Sequence, residues 1–97
     1  MTPEKRVAAP SDAWLKEIGA YVFKPVQMGM GATTLDRLCC ISGKFVAIEY
    51  KAPGKIPTTR QQFVMGEIRR AGGIAIWGDS AEQIVEKLKQ ALGLPDG

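Results

Sequence analysis

The stretch Thr34-Leu35-Asp36-Arg37-Leu38-Cys39-Cys40-Ile41-Ser42-Gly43-Lys44-Phe45-Val46-Ala47-Ile48-Glu49-Tyr50-Lys51 decides the fold. Two apolar runs flank Ser42-Gly43, and the second is dense in β-branched and aromatic residues, so the stretch reads as a β-hairpin. With a two-residue loop, Ile41 pairs with Lys44. Antiparallel partners keep a constant sum of residue numbers, which sets Asp36 directly across from Glu49. Successive strand side chains point to opposite faces, so Glu49 and Lys51 emerge together while Ile48 and Tyr50 point the other way.

Directly opposed side chains have Cβ atoms roughly 4.5–5.5 Å apart, and like charges there repel unless something compensates them. Carboxylate oxygens converging at that range suit a hard divalent cation such as Mg²⁺ or Mn²⁺. The pairing of the two acids depends on the turn, because a three-residue loop slips the register by one and sends them to opposite faces. Two readings stay open on the hairpin alone. One is a metal site, and the other is an exposed acidic pair with a salt-bridged lysine.

The rest of the composition narrows the chemistry. Ninety-seven residues make a single domain, 1–97, with one modest core. A net charge of +3 permits a polyanionic partner without demanding one. No run approaches the roughly 20 apolar residues of a membrane span, and the first residues lack the apolar centre of a signal peptide, so a cytoplasmic location is expected. Cys39 and Cys40 are adjacent in a strand, face opposite ways and are poorly placed to bridge each other. With no histidine in the chain, Ser-His-Asp and Cys-His catalysis are excluded, and any metal must be held mainly by carboxylates.

Outside the hairpin, residues 1–10 read as a frayed arm or short helical turn ending at Pro10. Ser11 then caps a helix from Asp12 to about Gly19, with Trp14, Leu15 and Ile18 as its buried stripe. Tyr21 to Val26 reads as a strand that Pro25 ends or confines to an edge. Gly29 to Thr34 is a glycine-rich loop, read either as a backbone approach to a phosphodiester or as a plain connection. After the prolines of 52–57, Thr58 or Thr59 caps a helix running to about Ala71, with Val64, Met65 and Ile68 facing the core. Gln61 lies on that same face, where an unpaired amide costs about 1–3 kcal/mol, so it must meet either a polar partner or nearby backbone. Ile74 to Trp77 is a short buried strand, reached by a crossover that makes it parallel to the hairpin strand. Ser80-Ala81-Glu82-Gln83 reads as a capping box for a last helix, with Ala81, Ile84, Val85 and Leu88 buried and Gly93 as its stop.

Taken together, Asp36, Glu49-Tyr50-Lys51, the Pro57-Thr58-Thr59-Arg60-Gln61 helix start and Gly72-Gly73 before a buried strand resemble the PD-(D/E)XK nuclease superfamily. Within it the chain is similar to the small, phage-type virus-type replication-repair nuclease (VRR-NUC) domains, from about Tyr21 to Leu88. Leu35 stands where the superfamily's name has proline. The resemblance implies an α/β (α+β), restriction-endonuclease-like core, a mixed sheet with a central hairpin flanked by helices. It implies that Asp36, Glu49 and the Tyr50 carbonyl bind Mg²⁺ or Mn²⁺, with a further glutamate from the first helix, Glu4 or alternatively Glu17. Lys51 would position water or stabilise charge on the phosphate, and Gln61 would orient Lys51 or that water. The activity implied is metal-dependent, structure-selective DNA endonuclease cleavage leaving a 5′-phosphate and a 3′-hydroxyl. The small stand-alone members suggest a homodimeric Holliday-junction resolvase acting on branched DNA. A general nickase and a catalytically silent nucleic-acid binding module are the alternatives. Lys24, Arg37, Lys44, Lys55, Arg60, Arg69 and Arg70 are candidate phosphate contacts.

Overall fold

The structure is a computed structural model and describes residues 1–26 and 34–95. The glycine-rich run from Gly29 to Thr33 lies outside the described residues. Those described form an α+β fold in the order α1 (Pro3–Glu17), β1 (Tyr21–Phe23), β2 (Arg37–Ile41), β3 (Lys44–Tyr50), α2 (Thr59–Arg70), β4 (Ile74–Gly78) and α3 (Ala81–Leu92). The sheet order is β1-β2-β3-β4, antiparallel except for the parallel pair β3–β4. It is the mixed sheet with a central hairpin that the sequence implies.

The hairpin forms in the expected register. Ser42 and Gly43 have positive φ, 52° and 80°, as a type I′ turn requires, and Ile41 pairs with Lys44. The ladder ends at Arg37 opposite Ile48, so the next row holds Asp36 and Glu49.

Two apolar clusters lie on the two faces of the sheet. On one face Cys39, Ile41, Val46, Ile48 and Tyr50 pack with Val7 and Leu15 of α1 and Ile84 and Leu88 of α3. On the other, Leu35, Ala47 and Ala75 pack with Met65 of α2, flanked by Leu38, Val64, Ile68 and Trp77. Odd-numbered residues of β3 therefore face α2, and Glu49 is among them.

The N-terminal segment corrects the sequence reading. Residues 3–10 are not a frayed arm and Ser11 is not an N-cap. Thr2 caps α1, accepting from the Lys5 N–H at 3.2 Å, and the helix runs through Pro10 to Glu17. Proline inside a helix forfeits one backbone bond and crowds the carbonyl four residues back. Here that carbonyl belongs to exposed Arg6, and Pro10 is itself exposed. Val7, Ser11 and Leu15 meanwhile repeat every four residues and are all buried, so the stripe outweighs the lost bond. Ser11 satisfies its buried hydroxyl by donating to the Val7 carbonyl at 2.8 Å.

Two smaller differences follow. Strand β1 ends at Phe23, short of Val26. Ser80 caps α3 through the Gln83 N–H, but the Gln83 amide accepts from the Asp79 N–H instead of closing a box on Ser80. The capping box is complete at α2, where Thr58 and Gln61 exchange both bonds.

Candidate metal and nucleic-acid site

Helix α1, the entry to β2 and strand β3 bring three carboxylates to one end of the sheet. Asp36 enters β2, and its Oδ2 accepts from the Tyr50 N–H at 2.9 Å, so the hairpin backbone orients it. Glu49 is buried on the α2 side of β3. Its Oε2 accepts from Gln61 Nε2 at 2.8 Å and lies 3.5 Å from Lys51 Nζ. The Gln61 Oε1 is occupied by the Thr58 N–H, so the capping box turns the Nε2 toward Glu49. This is the polar partner that a glutamine on a core-facing stripe needs. Glu4, in the first turn of α1, completes the group. One oxygen from each of Glu4, Asp36 and Glu49 lies within 4.8 Å of the others.

The strain in this arrangement is electrostatic. Burial, and then the negative charge of Asp36, push the Glu49 carboxyl up to about 7, with Lys51 pulling the other way. Glu49 Oε1 has no hydrogen-bond partner although it is buried. Such an oxygen is costly unless something satisfies it. An all-oxygen set with one buried, unpartnered carboxylate oxygen fits Mg²⁺ or Mn²⁺ and does not fit a soft metal.

Behind the carboxylates lies a network that sequence reasoning missed. Asp12 of α1 accepts from Arg37 Nε and Nη2 at 3.0 and 2.9 Å and from the Tyr50 hydroxyl at 2.8 Å. Arg37 also donates to the Asp36 carbonyl at 2.8 Å and sits over the Tyr50 ring. Burial alone would raise the Asp12 carboxyl, but the hydrogen bonds from Arg37 and Tyr50 hold it below its ordinary value. The network pins α1, and with it Glu4, to the hairpin. Its members are 25 and 38 residues apart in sequence, so no local pattern announces them.

The remaining named residues divide. Glu17 ends α1, thirteen residues from Glu4 and so about 20 Å along the helix, away from the cluster. Arg37 has only 16% of its side chain exposed and its guanidinium is engaged as described. Lys24, 64% exposed, lies 3.8 Å from Asp12. Lys44, Lys55 and Arg60 are exposed, with Lys44 at the opposite end of β3 from Glu49. Arg69 donates to the Ala75 carbonyl through two nitrogens, and the Arg70 guanidinium lies over Gly66. A cleft of about 240 Å³ opens between Glu4, Lys5 and Ala8 of α1 and Asp36, Arg37 and Tyr50 of the hairpin.

These features define a small α+β protein whose mixed sheet gathers acids from three elements at one end. No family model matches the chain, and no curated protein matches it. Among solved structures, one described as a VRR_NUC domain aligns with a TM-score of 0.78 over 92% of this chain and 97% of that one, at 21% identity. The chain has the VRR_NUC domain fold.

Proposed function

We propose that this protein is a metal-dependent DNA endonuclease whose site is formed by Glu4, Asp36, Glu49, Lys51 and Gln61. The observation that carries the reading is the buried, unpartnered Oε1 of Glu49, on a side chain whose carboxylate clusters with those of Asp36 and Glu4. The three carboxylates, with the Tyr50 carbonyl, would hold Mg²⁺ or Mn²⁺. Such an ion supplies Lewis-acid polarisation of a phosphodiester and acidifies a bound water. The protein's own groups do the positioning. Gln61 and Lys51 both engage Glu49 Oε2, while Oε1 has no protein donor. The Tyr50 N–H fixes Asp36. The Lys51 ammonium, beside Glu49, is placed to stabilise negative charge that builds on the phosphate as water adds and the 3′ oxygen leaves. The products are a 5′-phosphate and a 3′-hydroxyl.

Within this reading the preferred substrate is branched DNA, in the manner of a Holliday-junction resolvase, and the working form is a homodimer in the cytoplasm. A chain of this size has little surface with which to grip a junction alone, and a twofold pair supplies two sites for paired nicks. Exposed Lys24, Lys44, Lys55 and Arg60 supply phosphate contacts. The test is cleavage of an end-labelled four-way junction beside matched duplex and single strands, with Mg²⁺ or Mn²⁺, with chelator, and with Glu49→Ala and Lys51→Ala proteins. Symmetric nicks near the branch, lost with chelator and in both variants, are expected. Metal-independent binding without any cut would overturn the nuclease reading, and equal cutting of all substrates would overturn the branch preference.

A further inference from the structure

The sheet is covered unevenly, and the uncovered part leads to the carboxylates. Helices α1 and α3 pack on one face, while α2 covers only β3 and β4 on the other. On that second face no helix among the described residues lies over β1 and β2. The register arranges its side chains in rows. Tyr21, Cys40 and Phe45 are cross-strand neighbours in one row, and Phe23, Leu38 and Ala47 form the next. The row after that is Asp36 and Glu49. Tyr21, Phe23 and Phe45 are 68%, 51% and 47% exposed, which is high for aromatic side chains in a sheet.

We infer that this open face is a stacking platform for two or three unpaired nucleotides whose backbone continues to the carboxylate cluster. The inference rests on the reading of that cluster as a DNA site. Rows two residues apart along a strand are separated by roughly 6.7 Å. That is about twice the 3.4 Å per-strand rise of a stacked duplex, so rings on successive rows match splayed bases and not paired ones. The two aromatic rows carry no charged side chain, as suits base faces, and charge begins at the next row, with Glu49 and, just past the end of β3, Lys51 3.5 Å from it. Sequence-tolerant stacking on exposed sheet aromatics is an established way of holding single strands. Area argues against a second copy as the occupant. At roughly 200 Å² per aromatic side chain the three rings offer on the order of 300 Å², against about 800 Å² per partner in a stable protein interface.

The test is fluorescence anisotropy in EDTA, where nothing is cut, with a labelled twelve-nucleotide oligothymidylate and a duplex of the same length. The proteins are wild type, Tyr21→Phe, Tyr21→Leu, Phe23→Leu and the double leucine variant. Each leucine keeps an apolar side chain but removes the π-face, and is expected to weaken single-strand binding about tenfold. Tyr21→Phe is expected to bind like wild type, duplex affinity to change less than twofold, and melting temperatures to stay level because these positions are exposed. Unchanged single-strand affinity in the double variant would overturn the proposal, and so would an equal loss on duplex. A wild-type dimer that the double variant dissociates, with single-strand affinity intact, would assign the face to a second copy instead. The two readings can fail separately. Ring-dependent binding without Mg²⁺- or Mn²⁺-dependent cleavage would sink the nuclease and keep the platform. Cleavage with binding indifferent to the rings would sink the platform alone.

Discussion

Glu49→Gln is expected to make the metal-free protein more stable while removing its response to divalent cations. The carboxyl is held at about 7 against an ordinary 4.5, by burial first and by Asp36 second. At about 1.4 kcal/mol per unit, an ionised Glu49 costs the folded state on the order of 3 kcal/mol. An amide of the same shape keeps an oxygen for Gln61, adds an N–H where Oε1 now lacks a partner, and gives up the attraction to Lys51. A net gain of about 1–3 kcal/mol remains, or roughly 5–15 °C in melting temperature for a domain of this size. The folded-state value is raised, so below the unfolded value of 4.5 the group is neutral in both states and the cost is absent. It grows as the pH rises between 4.5 and about 7 and is complete above that. Thermal unfolding followed by circular dichroism in EDTA should therefore show the variant ahead of wild type at pH 8, with the gap closing toward pH 4.5. Adding Mn²⁺ at pH 8 should raise wild type alone, because a ligand bound only by the folded state shifts the equilibrium toward it. A variant less stable than wild type at pH 8, or a gap independent of pH, would refute the electrostatic argument.

Other substitutions test the scaffold. Asp12→Ala leaves a largely buried guanidinium and the Tyr50 hydroxyl without their acceptor, so denaturant unfolding should show a loss of about 3 kcal/mol, with Asp12→Asn falling between. Because the Asp12 carboxyl is held below its ordinary value, its contribution is present above pH 3.8 and is lost as the pH falls through the folded-state value; the wild-type advantage over Asp12→Asn should shrink in acid. Pro10→Ala restores a helix bond inside α1 and should stabilise by about 1–3 kcal/mol in the same assay. Gly43→Ala forces a side chain into a φ of 80° and should cost about 1–2 kcal/mol, read as a lower denaturant midpoint with unchanged slope.

The hairpin and what hangs from it were legible because their determinants are local. Ser42-Gly43 fixes the turn, the turn fixes the register, and the register puts Asp36 across from Glu49. Gln61 could be expected to meet a polar group because a core-facing amide has few other options, and Thr58 supplied the cap that aims it. Helix α1 was misread for the opposite reason. Pro10 is a strong local stop, and the buried stripe of Val7, Ser11 and Leu15 that overrides it becomes favourable only against a sheet formed later in the chain. The same helix decides between Glu4 and Glu17, so that choice was closed to local reasoning as well. Asp12 was invisible as a site element, because an aspartate after a serine looks like a helix start until Arg37 and Tyr50 arrive from elsewhere.

The paired cysteines have a practical consequence. Cys39 is buried, its thiol pushed up to about 11 chiefly by burial, whereas Cys40 is exposed. A maleimide dye at neutral pH will therefore choose one position on the native chain, and that position lies between Tyr21 and Phe45. The molecule carries its own labelling handle at the centre of the aromatic face. A reporter placed there senses whatever comes to rest on the sheet, while its bulk, added in full, closes that surface without altering the carboxylates.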